Sequence, residues 1–296
     1  MWSRASGSWF VDSAGLPGAF MRPHCQRIAG MGASGSGPMD AGTNLKRRTT
    51  MRPDDLNVKI LGIVGTPIKD GNCQYFLERA LQAAESVGRV TTELIHLRDY
   101  RIEYCAGCES CLRRVHKIQK QVGLDVVPVP VKGYNCSIKD DMEIIHRKML
   151  QADGILLAAP VYIATIPGQM KTFIDRCRTF VHDLRLRDKV AAPLTVAFFR
   201  NAGSDTALQA MALSLLAMGL NVVSFGASAV STKEGLGIPI RDTRFAVKED
   251  LIGMTLMSMA ATQVARSALQ MKAGRIAMEE AGILAKTGGW GPVTGD

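Results

Sequence analysis

The sequence predicts an α/β protein built on a doubly wound parallel sheet of five strands. Five apolar runs of strand length alternate with segments whose apolar residues recur at three and four, the pattern of βαβ units. The first run, Val58-Lys59-Ile60-Leu61-Gly62-Ile63-Val64, is nearly continuous, as in a strand covered on both faces. Polar loops follow the first, third and fourth runs, where sheets of this kind hold ligands.

Residues 1–55 are dominated by Gly, Ser, Ala and Arg without either period, and read as an unfolded arm. Strand one, residues 58–64, leads through residues 65–73 into a helix with Phe76, Leu77, Ala80, Leu81 and Ala84 on one face. Residues 91–97 form strand two, and a cysteine-rich stretch, 104–141, is inserted after it. Within that stretch residues 112–121 read as a basic helix, and 126–131, broken by Pro128 and Pro130, as extended but not a central strand. Asp140 and Asp141 are expected to cap a helix carrying Met142, Ile145, Met149 and Ala152. Residues 154–159 make strand three, followed by a helix with Met170, Phe173, Ile174 and Cys177. Residues 190–199 make strand four, 207–218 a helix and 221–225 strand five. One long helix, about 248–281, closes the chain, with Leu251, Met257, Ala261, Val264, Ala268 and Met271 as core or subunit interface. Residues 288–292 read as a loose tail. The organisation is thus an arm (1–55), a sheet domain (56–245), and a helix with tail (246–296).

Cys105, Cys108 and Cys111 carry the chemistry. Two successive steps of three wrap the backbone around a common centre, as iron–sulfur ligands do, with a fourth cysteine arriving from elsewhere. Zinc, a redox dithiol and inert thiols stay open on spacing alone. Cys136 is the fourth candidate. Cys25 lies in the arm, Cys73 in a ligand loop and Cys177 on an apolar helix face. The loop after strand one (Thr66, Pro67, Lys69, Gly71, Asn72, Cys73) opens into a helix N-terminus and suits a phosphate, though an ordinary strand–helix turn reads equally well. The loops Pro160, Val161, Tyr162, Ile163, Ala164 and Arg200, Asn201, Gly203 are placed to flank a flat ring. No G-x-G-x-x-G follows strand one, which disfavours a dinucleotide site of the Rossmann kind. His96, His116, His146 and His182 are scattered and read as surface or capping residues.

The formal charge is +9, and no nucleic-acid motif accompanies it. It implies anionic cofactors or an acidic partner, and Arg113, Arg114, His116, Lys117 and Lys120 read either as a solvated helix face or as a docking patch for an acidic electron-transfer protein. No apolar run reaches membrane-span length. Cysteines grouped as ligands rather than as a disulfide framework imply a reducing, cytoplasmic setting.

Gly65-Thr66-Pro67 with Gly71-Asn72, the 105–108–111 cysteines, Cys136-x3-Asp140-Asp141, Ala152-Asp153-Gly154, Pro160-Val161-Tyr162 and Lys171-x3-Asp175-Arg176 occur in one order. In this the chain resembles the iron–sulfur flavoproteins of the NADPH-dependent FMN reductase, flavodoxin-like group, over residues 58–226. The resemblance implies a flavodoxin-like fold and FMN, its phosphate in loop 66–73 and its ring against 160–164 and 200–203. It implies a [4Fe–4S] cluster on Cys105, Cys108, Cys111 and Cys136, and a homo-oligomer passing electrons between cluster and flavin. NAD(P)H or an acidic protein such as a ferredoxin would be the external partner. Four features depart from that pattern. Ile68 stands near where an Arg or Lys is usual, Cys73 stands where Ser or Thr is usual, Ala158-Ala159 precedes Pro160, and residues 112–135 separate the third and fourth cysteines. The competing expectations are a cluster-free NAD(P)H-dependent FMN or quinone reductase, and a non-catalytic flavodoxin-like module holding zinc.

Overall fold

The computed structural model describes residues 56–123, 131–241 and 244–283. The expected arm with Cys25, most of the proline-interrupted segment and the tail lie outside the described residues. The elements run β1 (Val58–Val64), α1 (Asn72–Glu85), β2 (Val90–His96), α2 (Ser110–Val122), α3 (Met142–Gln151), β3 (Gly154–Pro160), α4 (Gly168–Arg176), α5 (Arg178–Asp183), β4 (Val190–Ala197), α6 (Ser204–Ala217), β5 (Asn221–Val222), β6 (Ala227–Val230), β7 (Thr232–Lys233), β8 (Ile238–Pro239) and α7 (Leu251–Glu280).

The sheet order is β2-β1-β3-β4-β5, all parallel, with β6 also on β4. This is the flavodoxin-like order, with helices on both faces. Alternation along the strands divides the core. Leu61, Ile63, Ile155, Leu157 and Ala191 face α3, α4, α5 and α6. Ile60, Leu156, Ala158, Ala192 and Leu194 face α1 and α7. Helix α1 buries Phe76, Leu77, Ala80, Leu81 and Ala84, as its spacing requires. Each of the larger of these is worth about 1.5–3 kcal/mol of burial.

The fifth strand is not continuous. Its first piece pairs Ala191 with Val222 and its second pairs Leu194 with Ala227, so two extra residues are taken up between them. The cause is Pro193 in the strand beside it. The Lys189, Ala191 and Ala197 carbonyls accept from this edge, so Pro193, in phase with them, turns its missing N–H the same way. The chain bulges there and returns through Gly226 at φ +100, where an added Cβ would stand 2.2 Å from the Pro193 carbonyl oxygen. Phe199, expected inside strand four, lies beyond it and is exposed. The small β7–β8 hairpin was not expected, and Leu251 is exposed because the buried stripe of α7 starts at Gly253 and Met257.

Gly226→Ala therefore meets both a positive φ and a carbonyl. It is expected to lower the unfolding free energy by at least ~1–3 kcal/mol in urea denaturation.

Candidate functional site

Loops 65–71, 161–167 and 198–203 and the cysteine stretch all leave carboxyl ends of parallel strands, so topology gathers them on one edge. Thr66 is buried, and its Oγ1 accepts from Ile68 N at 3.2 Å. Gly71 caps α1 with no side-chain acceptor, so the first N–H groups of the helix face the loop. Lys69 pairs with Asp99 at 2.6 Å on the exposed rim. The Asn72 side chain turns to the C-terminal segment, its Oδ1 accepting from Val247 N at 3.0 Å. Cys73 is buried, and burial pushes its thiol far up.

Three residues around this loop escaped the sequence reading. Arg98 Nη1 donates to the Pro67 carbonyl at 2.7 Å, and Arg244 lies 3.6 Å from Asp70. His96, expected at the surface, is buried, its Nε2 3.4 Å from the Ile68 carbonyl, and burial lowers its pKa. Only Arg98 and His96 carried a signal, as polar residues at the carboxyl end of strand two.

The second loop turns tightly, Tyr162 and Thr165 exchanging both backbone hydrogen bonds. Ile163 and Ala164 between them both have positive φ, 45° and 65°. The β-branched Ile163 is an outlier there and is 98% exposed. Gly203 in the third loop sits directly on this turn, since a Cβ at its φ of +101 would stand 2.3 Å from Ala164 O. Arg200 points elsewhere. Its Nε donates to Glu234 O at 2.9 Å, and its side chain lines a cavity of ≈ 860 Å³ between the β7–β8 hairpin and the start of α7.

The cysteine lobe is built around one buried arginine. Arg176, from the end of α4, donates from Nη1 to Glu103 O at 2.7 Å and to Asp140 Oδ2 at 2.5 Å. Its Nη2 donates to Asp140 Oδ1 at 3.0 Å, to Tyr134 OH at 2.9 Å and to Cys136 Sγ at 3.7 Å. Both side chains of the ion pair are at most 1% exposed. Burial opposes the Asp140 charge, but Arg176 and the N–H groups of Glu103 and Met142 outweigh it and hold the carboxyl below the usual range. The same bonds keep Arg176 charged against its own burial. Asp141, expected to cap α3, instead accepts from Arg101 N at 2.8 Å; only Asp140 accepts from the helix, at Met142 N. The two carboxylates thus hold the strand leading into the cysteines.

Residues 133–137 lie against the cysteine run and the lobe around it. Gly133 O accepts from Arg185, Tyr134 O from Arg114, and Asn135 Nδ2 donates to Cys111 O at 3.2 Å. Cys108 Sγ lies 3.4 Å from Ser110 Oγ and 3.3 Å from Ser137 Oγ, and these hydroxyls pull its thiol down to about 7. Cys136 therefore lies beside the run, while Cys105 and Cys108 are exposed and Cys111 is half-buried. Among the described residues no three His, Cys, Asp or Glu side chains already converge as a metal cage. Four undisulfided thiols, with Arg176 at Cys136 and Arg178 and Arg113 nearby, still form a donor set fitted to an anionic cluster. Cys177 is fully buried, as expected, and takes no part. Helix α2 turns Val115 and Gln119 inward and Arg113, Arg114, His116, Lys117 and Lys120 outward.

His146, expected at the surface, is buried beneath the lobe between Tyr134 and Phe180. The helix register that buries Met142, Ile145 and Met149 carries it inward.

An α/β sheet of flavodoxin-like order, with an anion-suited loop and a thiol lobe on one edge, is the framework of a redox protein. Residues 58–235 match the family model described as NADPH-dependent FMN reductase. An iron–sulfur flavoprotein of Methanocaldococcus jannaschii is 34% identical over 152 residues, which cover 51% of this chain and 68% of that protein. An iron–sulfur flavoprotein of Archaeoglobus fulgidus is 32% identical over 176 residues, 59% of this chain and 77% of that one. The structure of RosB with bound 8-demethyl-8-formylriboflavin-5'-phosphate superposes with a TM-score of 0.53 at 13% identity, over 81% of this chain and 92% of that chain. The chain belongs to the iron–sulfur flavoproteins of the NADPH-dependent FMN reductase family, and it is an oxidoreductase.

Burial lowers the His146 pKa to about 3, with Arg185 and Arg176 adding to the effect while Asp140 opposes it. The unfolded chain then binds the proton first, from about pH 6.5 downward, so stability falls as pH drops through this window. Urea midpoints are expected to decline from pH 7 to pH 5 by the equivalent of about 2 kcal/mol, and His146→Phe should flatten that decline.

Proposed function

We propose that the chain carries FMN on the loop edge of the sheet and a [4Fe–4S] cluster on Cys105, Cys108, Cys111 and Cys136. Electrons would pass between these two and an external donor or acceptor. The observation that carries the reading is the return of residues 133–137 onto Cys108 and Cys111 across an insertion that could have led Cys136 anywhere. When bound, flavin and cluster supply reversible electron storage, and the protein supplies position and potential.

The chain's own residues have definable tasks. The N-terminal N–H groups of α1 and the Thr66 hydroxyl offer donors to a phosphate, with Lys69, Arg98 and Arg244 on the rim as cations. The 162–165 turn, braced by Gly203, holds a rigid edge beside the ring, and Tyr162, 40% exposed, offers it a flat face. No acid or base is assigned, since the chemistry belongs to the cofactors. Cys105 and Cys108, being exposed, can turn their thiols toward Cys111 and Cys136 without disturbing the core.

The visible spectrum, with iron and sulfide analysis of anaerobically purified protein, tests the reading. Flavin bands with a broad shoulder near ~400 nm and about four irons per chain are expected. Flavin without iron would leave the cluster-free reductase, and a colourless zinc protein would refute both cofactors. Cys136→Ala should lose the four-iron form, whereas Cys177→Ala should keep it; the reverse result would remove Cys136 from the ligand set. Gly71→Glu sets a carboxylate in the phosphate loop, its Cβ 2.9 Å from Ile68. It should cut flavin content at least ~tenfold with the circular dichroism unchanged, and full flavin content would move the phosphate elsewhere.

A further inference from the structure

One sulfur in the lobe differs from the other three in what surrounds it. Cys136 Sγ receives Arg176 Nη2 at 3.7 Å. The Tyr134 hydroxyl accepts from the same Nη2 at 2.9 Å, so phenol and sulfur share one donor nitrogen. Arg176 is 2% exposed and fixed on its other edge by Asp140 and Glu103 O, so the guanidinium cannot turn away. The phenol ring is held between Arg176 and His146, whose ring centre lies 5.3 Å away. Both groups are therefore held at the Cys136 corner by the packing around them.

We propose that Tyr134 and Arg176 are positioning residues that donate to the Cys136 sulfur and raise the reduction potential of a cluster bound there. This rests on the cluster reading given above. Hydrogen bonds and positive charge at a ligand sulfur stabilise the more negative, reduced state of an iron–sulfur centre. The step is one electron added to or removed from the cluster, with no proton transferred by either residue. Cys105 sits on an exposed loop, and the side chains hydrogen-bonded to Cys108 are serine hydroxyls. The Cys136 corner thus combines a buried charged donor with a phenol hydroxyl held on the same nitrogen, and the structure assigns the tuning to it.

The test is EPR-monitored redox titration of the anaerobically purified holoprotein, with iron content measured on the same samples. Tyr134→Phe removes the hydroxyl and keeps the ring packed. At a fixed potential it should lower the ratio of reduced to oxidised cluster about tenfold, a midpoint shift of about 59 mV to lower potential for one electron. Iron per chain should not change, which separates tuning from a merely structural role. Arg176→Lys keeps the charge but loses the forked geometry, and should shift the midpoint in the same direction. Should Arg176→Lys fail to fold, the Tyr134→Phe titration decides alone. A Tyr134→Phe midpoint equal to that of the wild type, with iron intact, overturns this inference and leaves the cluster reading standing. A wild-type protein without iron overturns both.

Discussion

The Arg176–Asp140 ion pair is the constraint on which the cysteine lobe depends. A buried pair of this kind gains little net stability, because desolvation offsets most of the attraction, but losing one partner costs about 3–5 kcal/mol. Its value here is geometric. Asp140 fixes the start of α3 and the Glu103 backbone, and Arg176 ties both to Tyr134 and Cys136. Three segments distant in sequence meet at one guanidinium, whose planar fork suits several acceptors at once. A lobe with exposed cysteines and little apolar content of its own is thereby held to the hydrophobic sheet layer through Tyr100, Ile102 and Tyr134.

The opposite end of the edge is organised by backbone rather than by charge. Gly203 rests on Ala164, and the turn beneath it keeps two non-glycine residues at positive φ. Such a turn persists only where its surroundings determine it. Loops 161–167 and 198–203 thus behave as one piece, whereas loop 66–71 is fixed separately by the Thr66 turn, Arg98 and the Val247–Asn72 bond. A site assembled from two independently held halves keeps its width when either half is altered.

Much of this was legible beforehand. The near-continuous apolar runs gave the parallel strands, and the spacing of Phe76, Leu77, Ala80, Leu81 and Ala84 gave the face of α1, because burial on a sheet imposes these periods directly. The Cys105, Cys108 and Cys111 run was equally plain. The split of the fifth strand was readable in principle from Pro193, but only once its neighbour in the sheet was known. His146 was readable from the stripe of Met142, Ile145 and Met149, but the burial of His96, the turning of Asp141 to Arg101 and the course of Arg200 toward the hairpin were not legible. Each depends on a partner more than 25 residues away, and local pattern carries no such pairing. Arg176 stood in the sequence as the end of the Lys171-x3-Asp175-Arg176 motif, which told nothing of its depth or its five contacts.

The direction of the chain gives the arginine clamp a further consequence. Arg176 lies 40 residues beyond Cys136, so all four thiols leave the ribosome before the group that fixes them exists. At roughly 5–20 residues per second the interval is about 2–8 s. During it the cysteines are an unclamped, open segment, exposed to adventitious metals and oxidants. The final geometry of the lobe is therefore separated in time from translation of its cysteines, and follows the docking of α4.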